Sequence, residues 1–195
     1  MTDQADLIYE RLLVVRAQAG DDAAFAELVE RFSPRLRYFL RKLLGPERHR
    51  GRSLPSDDAE DALQDVWLDV LRALPRLSDP QALVAWLYRI ARDRAFARLR
   101  KTRRHEPLPD SSTITDIPTE DDDDFSAEDA AQIHAALDKL PAEQREVLVL
   151  RFLEDMTYEQ IAAVVGVSIG TIRSRLHYGK RELAKLLEDT QRGQA

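Results

Sequence analysis

The sequence predicts an all-α protein: two helical domains joined by an acidic flexible linker, the second containing a helix-turn-helix. Three observations carry this. The stretch Met156–Leu187, MTYEQIAAVVGVSIGTIRSRLHYGKRELAKLL, holds two helix starts separated by a glycine. Apolar residues recur at helical spacing through most of the chain. No region alternates apolar and polar residues between turn signals, as strands would.

Taken in chain order, Leu7, Ile8, Leu12 and Val15 extend a first helix ahead of the next stripe. Phe25, Leu28, Val29, Phe32, Leu36, Leu40 and Leu43 form that stripe, with Pro34 as an expected kink or break. Gly45 to Ser56 (GPERHRGRSLPS) reads as a polar, basic loop. Asp57 and Glu60 have capping-box spacing and open a helix. Its buried side carries Ala59, Ala62, Leu63, Val66, Trp67, Val70, Leu71 and Leu74. Its other face carries Asp61, Gln64, Asp65, Leu68 and Asp69. PRLSDP, from Pro75 to Pro80, is a turn. A long helix from about Gln81 to Lys101 follows, aromatic and apolar in its first half (Leu83, Trp86, Leu87, Tyr88, Ile90) and dense in arginine in its second.

Past the linker, Ser126 caps a helix with Ala130, Ile133, Leu137 and Leu140. Pro141 sits at a first-turn position before Val147, Leu148, Phe152 and Leu153. Thr157 and Gln160 make a capping box for a helix that ends at Gly166. Ser168 caps the last helix, with Ile172, Leu176 and Leu183 on its apolar side. Small Ala162 lets the two helices cross closely. Thr171, Arg173, Ser174, Arg175, His177 and Tyr178 face away from the apolar stripe. Such donor-rich side chains suit phosphates and base edges in a major groove.

Charge is segregated along the chain. The formal net charge of the 195 residues is -6, which by itself argues against a nucleic-acid binder. Yet Val84 to Arg104 has eight basic residues against one acid, Asp93, for a net +7. His105 to Ala130 has ten acids and no Lys or Arg, and Ser168 to Lys185 is net +4. Two basic surfaces therefore flank an acidic spacer. The spacer has three prolines, no glycine and no helical or strand period, so it is expected to be disordered or extended. The expected domains are 1–104 and 126–195, with 105–125 as the linker.

Composition excludes several classes. There are no cysteines, which removes disulfides and cysteine-based zinc sites and fits a reducing cytoplasm. No apolar run approaches membrane-spanning length, and the N-terminus lacks the layout of a signal peptide. Asp121 to Asp124 are consecutive acids in a disordered spacer and do not converge into a metal cage. His49, His105, His134 and His177 are scattered along the chain. There is no phosphate-cradling loop and no nucleophile elbow. No catalytic residue, metal or cofactor is expected.

These residues resemble a family: bacterial RNA polymerase sigma factors of the compact extracytoplasmic-function type. DDAAFAELVERFSPRLRYFLRKLLG is similar to the first helical region of a sigma-two domain, and DAEDALQDVWLDVLRAL to its polymerase-binding region. WLYRIARDRAFARLRKTRR resembles the helix that opens and reads the minus-ten element. LPAEQREVLVLRFLEDMTYEQIAAVVGVSIGTIRSRLHYGKREL resembles the sigma-four domain that reads the minus-thirty-five element. Two departures stand out: Asp93 replaces an asparagine usual in an ARN triplet, and the Gly45 to Ser56 loop is longer than compact members need.

The resemblance implies a division of labour. Asp61, Gln64, Asp65, Leu68 and Asp69 would dock on core polymerase, although the residues alone also fit a solvated helix face. Trp86, Tyr88, Arg89, Arg92 and Asp93 would line the path of the separated strand at the minus-ten element, with Arg98 gripping phosphates. For Trp86 and Tyr88, plain packing is an equal reading. Base capture would fall to the Pro75 to Pro80 loop, which carries Asp79. Ser168, Thr171, Arg173, Ser174, Arg175, His177, Tyr178 and Lys180 would contact the minus-thirty-five element. Implied partners are core RNA polymerase, through its β′ coiled coil and β flap, promoter DNA and an anti-sigma factor. The alternative is a helix-turn-helix regulator that binds an operator without polymerase.

Overall fold

The computed structural model describes residues 2–45, 55–103 and 130–192. The Ser126 cap, the acidic linker and most of the Gly45 to Ser56 loop lie outside the described residues. Among the described residues every regular element is helical, as the sequence predicts. The chain divides into two compact units, Met1–His105 and Glu106–Ala195.

In the first unit, helices α1 (Thr2–Gln18), α2 (Asp22–Leu44), α3 (Pro55–Ala73) and α4 (Leu83–Arg103) pack around α2. Asp21 starts α2 by accepting the Ala24 amide through its side chain. That bond, then the Arg16 guanidinium, holds the Asp21 carboxyl below its ordinary pKa. Leu28, Phe32, Leu36, Phe39, Leu40 and Leu43 of α2 are buried, each apolar side chain worth roughly 1.5–3 kcal/mol. The α2 helix runs unbroken through Pro34, so of the expected kink or break the break does not occur. Pro34 and Glu30 both lie on the exposed face, where water can bond the carbonyl that proline leaves without a donor.

The expected first helix forms as α1, and one apolar assignment, that of Leu71, is corrected. Leu7, Ile8, Leu12 and Val15 of α1 are exposed, and Leu13 and Val14 are the side chains it buries. Leu71 of α3 is 54% exposed, because Val66, Val70 and Leu74 already fill the side that meets the core. The α3 helix also starts at Pro55 rather than at a cap on Asp57. Glu60 does not serve a capping box; it takes a two-pronged bond from Arg37 of α2, at 2.7 and 3.0 Å. Trp67 lies between α2 and α3, its indole N–H donating to Ser33 Oγ and its ring meeting the ring of Phe25 at 87°.

In the second unit, α5 (Ala130–Lys139), α6 (Ala142–Leu148) and α7 (Tyr158–Val165) pack on α8 (Ile169–Arg192). Pro141 is the cap residue of α6, one position before the first turn. A π-helical segment, Val149–Leu153, continues α6 with Val149 and Leu150 buried. Arg145 is buried, donates to the Asp138 carbonyl at 3.2 Å, and has its pKa pushed down by burial. A second close approach, between α8 and α6, is at Gly179. A Cβ on Gly179 would lie 3.0 Å from Leu148 Cδ1 and 3.3 Å from Gln144 Cβ.

Candidate functional site

The helix-turn-helix is built as its sequence requires. Thr157 Oγ1 accepts the Gln160 amide and Gln160 Oε1 accepts the Thr157 amide, closing the capping box. Gly166 ends α7 with φ 78° and ψ 31°, the left-handed conformation that costs glycine nothing sterically. Ser168 Oγ then accepts the Thr171 amide at 3.2 Å and meets the Thr171 hydroxyl at 2.9 Å. Ile161, Val164, Val165, Ile172, Leu176 and Leu183 close the core between the helices.

That packing fixes the outward face of α8. Ser168, Arg173 and Tyr178 are exposed, and Thr171, Ser174, Arg175, His177 and Lys180 are half-buried. Ser174 Oγ donates to the Gly170 carbonyl. Arg175 is paired with Glu143 of α6 at 3.1 Å, so this reader candidate has a protein partner in the unbound chain. His177 meets the Tyr178 ring edge-on, with centroids 5.5 Å apart. Lys180 lies over the Phe152 ring. Arg173 stands near Glu159, whose carboxyl is held low mainly by its own backbone amide and the Thr157 hydroxyl.

The candidates on α4 separate onto different faces. Tyr88 is fully buried, its ring edge-on to Phe39 with centroids 5.0 Å apart. It is a core residue, which corrects its assignment to the strand path: it shares the inward face with Leu87, Ala91 and Ala95. Trp86 is half-buried, Arg89 and Asp93 are exposed, and Arg92 stacks over the Phe96 ring at 4.5 Å. Asp79 is exposed and caps the short 3-10 turn Pro80–Ala82, its Oδ1 accepting the Gln81 amide. A second 3-10 turn, Leu74–Arg76, begins the same loop.

The acidic face of α3 lies against the arginine-rich half of α4. Asp69 is paired with Arg94. Arg98 reaches Asp65 at 2.9 Å and Asp61 at 3.8 Å. Gln64 and Leu68 are exposed on the same surface, with Leu68 at 50%. Sequence reasoning found both charged segments but not their pairing, since residues 25 to 37 positions apart meet only once the helices pack. Among the described residues, no group of His, Asp or Glu is arranged to hold a metal ion, and no helix is long and apolar enough to cross a membrane.

Comparison with known proteins places this geometry. Residues 28–105 match the Sigma-70 region 2 family, and residues 130–183 match Sigma-70, region 4. The ECF RNA polymerase sigma factor RpoE of Cereibacter sphaeroides is 32% identical over 183 residues, covering 90% of this chain and 93% of that protein. The ECF RNA polymerase sigma-E factor of Escherichia coli is 28% identical, covering 88% of this chain and 91% of that protein. The solved structure of CnrH in complex with the cytosolic domain of CnrY superposes with a TM-score of 0.63 at 26% identity, covering 92% of this chain and 97% of that one. The sigma factor RpoE of Bartonella quintana, solved with the anti-sigma factor NepR, gives 0.61 at 27% identity, covering 84% and 96%. With two sigma-70 regions in order on two helical units and a relative this similar along its whole length, the chain belongs to the ECF RNA polymerase sigma factors, which bind core RNA polymerase and direct promoter-specific initiation.

Proposed function

We propose that three helix faces of this chain divide the work of initiation. The α3 face of Asp61, Gln64, Asp65, Leu68 and Asp69 docks on a basic coiled coil of the polymerase β′ subunit, with Leu68 as its apolar contact. Trp86, Arg89, Arg92 and Asp93 of α4 follow the separated strand, where an aromatic ring gives a stacking surface and arginines neutralise phosphate. The Pro75 to Pro80 loop, with Asp79, captures an unstacked base of the minus-ten element. The outward face of α8 enters the major groove at the minus-thirty-five element, with Arg173, Ser174 and Arg175 as base readers and Ser168, Thr171 and Lys180 as phosphate contacts.

The observation that carries this reading is the α8 face: capped at Ser168, held by a buried stripe, and presenting hydroxyl and guanidinium donors outward. The β flap and an anti-sigma factor are further partners, and the site of action is the cytoplasm, where polymerase and DNA meet. The protein redirects an enzyme and performs no chemistry of its own. Run-off transcription with purified core polymerase tests the reading. Transcripts should depend on this protein and on both promoter elements. Tight operator binding by the free chain, with no run-off product, would instead mark a regulator that works without core polymerase.

A further inference from the structure

The loop that runs from α3 to α4 is held from outside by a residue of α1. The Gln18 Nε2 amide donates to the Leu74 carbonyl at 2.9 Å and to the Leu77 carbonyl at 2.8 Å. Gln18 is thus bonded to residues 56 and 59 positions away, and it is part-buried. Leu74 and Leu77 are the two ends of the 3-10 turn, since the Leu77 amide also donates to the Leu74 carbonyl. Asp79 follows two residues later and fixes the other end of the loop through the Gln81 amide.

Gln18 is itself on a rigid mount. Leu13 and Val14, one turn before it, are buried. Just past it, the Asp21 amide donates to the Arg16 carbonyl while the Arg16 guanidinium pairs with the Asp21 carboxylate at 2.6 Å. Asp21 in turn caps α2. The corner between α1 and α2 thus holds the backbone from which the Gln18 side chain spans the two carbonyls. Arg76, Ser78 and Asp79 are exposed between or beside these fixed points, and Pro75 and Gln81 are exposed with them. A loop that must close around one base needs its backbone held to within about 0.5 Å.

We infer that Gln18 is a positioning residue for minus-ten base selection: it sets the shape of the 74–79 loop without touching DNA. The inference rests on the reading that this loop captures a base. Its chemistry is specific. Two carbonyls facing one amide require a donor at position 18. Gln18→Glu keeps the size and removes every donor, and Gln18→Met keeps the bulk without polarity. Gln18→Lys supplies donors again, on a side chain one bond longer.

The test is run-off transcription with core polymerase over promoters randomised at the minus-ten element, with the minus-thirty-five element fixed and then randomised in turn. Asp79→Ala is run alongside, and thermal melts confirm that each variant is folded. A single read position discriminates on the order of tenfold. Gln18→Glu and Gln18→Met should each lower that preference at least about threefold, at the position Asp79→Ala also disturbs, and leave minus-thirty-five preference unchanged. Gln18→Lys should restore it. If Asp79→Ala alters the preference and neither Gln18 variant does, the inference is wrong and the loop reading stands. If Asp79→Ala alters nothing either, the loop reading falls and the inference with it. A uniform loss on all promoters, matched by a lower melting temperature, would show a purely structural role for Gln18 and overturn the inference.

Discussion

Arg98 Nη2 donates to Asp65 Oδ2 at 2.9 Å, joining the basic half of α4 to the acidic face of α3. One ion pair thus links a residue assigned to DNA with a residue assigned to polymerase. Both side chains keep part of their surface in solvent, 27% for Arg98 and 42% for Asp65, so the pair is a weak lock. Either side can exchange its partner for a phosphate or for a polymerase cation at small cost.

This pairing shapes the docking test. Asp65→Lys with Asp69→Lys should weaken holoenzyme assembly at least about tenfold, since like charges brought together across an interface cost several kcal/mol. Pull-down of core polymerase measures it, and circular dichroism should show unchanged helix. The double variant also breaks the Arg94–Asp69 and Arg98–Asp65 pairs, so Arg94→Ala with Arg98→Ala is the control. That variant should bind core polymerase as the parent does. Equal loss in both would assign the effect to the broken pairs rather than to the acidic face.

Trp86 and Tyr88 should now behave differently, although they are two positions apart in one aromatic run. Tyr88→Ala empties a fully buried site against Phe39 and should cost about 3–5 kcal/mol of stability. Trp86→Ala should change stability far less and slow promoter opening. Urea unfolding and permanganate footprinting of the opened strand separate the two effects. Matching stability losses would place Trp86 in the core.

Arg173 is exposed while Arg175 is held by Glu143. Truncating a bidentate base reader costs roughly 1–3 kcal/mol and relaxes one base position. Arg173→Ala should do so outright. Arg175→Ala should relax a second position, and Glu143→Gln should tighten DNA binding by removing the competing carboxylate. Selection on randomised minus-thirty-five elements gives the base preferences. An unchanged preference in both arginine variants ends the assignment.

Gly179→Ala sets two effects against each other. Alanine gains about 1 kcal/mol of helix propensity over glycine. Its Cβ, however, would meet Leu148 at 3.0 Å and Gln144 Cβ at 3.3 Å. Overpacking of this kind costs about 1–3 kcal/mol, so the net should be a loss of up to about 2 kcal/mol. The urea midpoint of the C-terminal transition reports it, and a higher midpoint would mean that α6 yields easily.

Acid should loosen the first unit through Asp21 and Glu60. The Ala24 amide and Arg16 hold the Asp21 pKa low, and Arg37 does the same for Glu60. A depressed folded pKa adds stability in full above the ordinary carboxylate pKa, and that stability is lost as pH falls through the folded value. Asp21→Asn keeps the cap acceptor and removes the titration. Its urea midpoint should therefore vary less between pH 6 and pH 3 than that of the parent. Identical acid profiles would remove Asp21 from the account.

The sequence by itself determined the helix-turn-helix, because its signals are local. The Thr157–Gln160 capping box, the left-handed Gly166 and the Ser168 cap each act within four residues, and all three stand as their spacing requires. It also determined the all-helical class and most of the α2 stripe, Leu28, Phe32, Leu36, Leu40 and Leu43, though Phe39, which that stripe left out, is buried beside them and Phe25 and Val29 are only half-buried. Tertiary structure decided the rest. Tyr88 and Trp86 belong to one aromatic run, and the packing of α4 on α2 buries Tyr88 against Phe39 while Trp86 stays half-buried. Leu12 and Leu13 are adjacent leucines, and α2 chooses the second. The Gln18 clamp on Leu74 and Leu77, like the Arg98–Asp65 pair, joins residues far apart in the chain. No periodicity encodes such contacts, because they arise from how helices pack rather than from how each one forms.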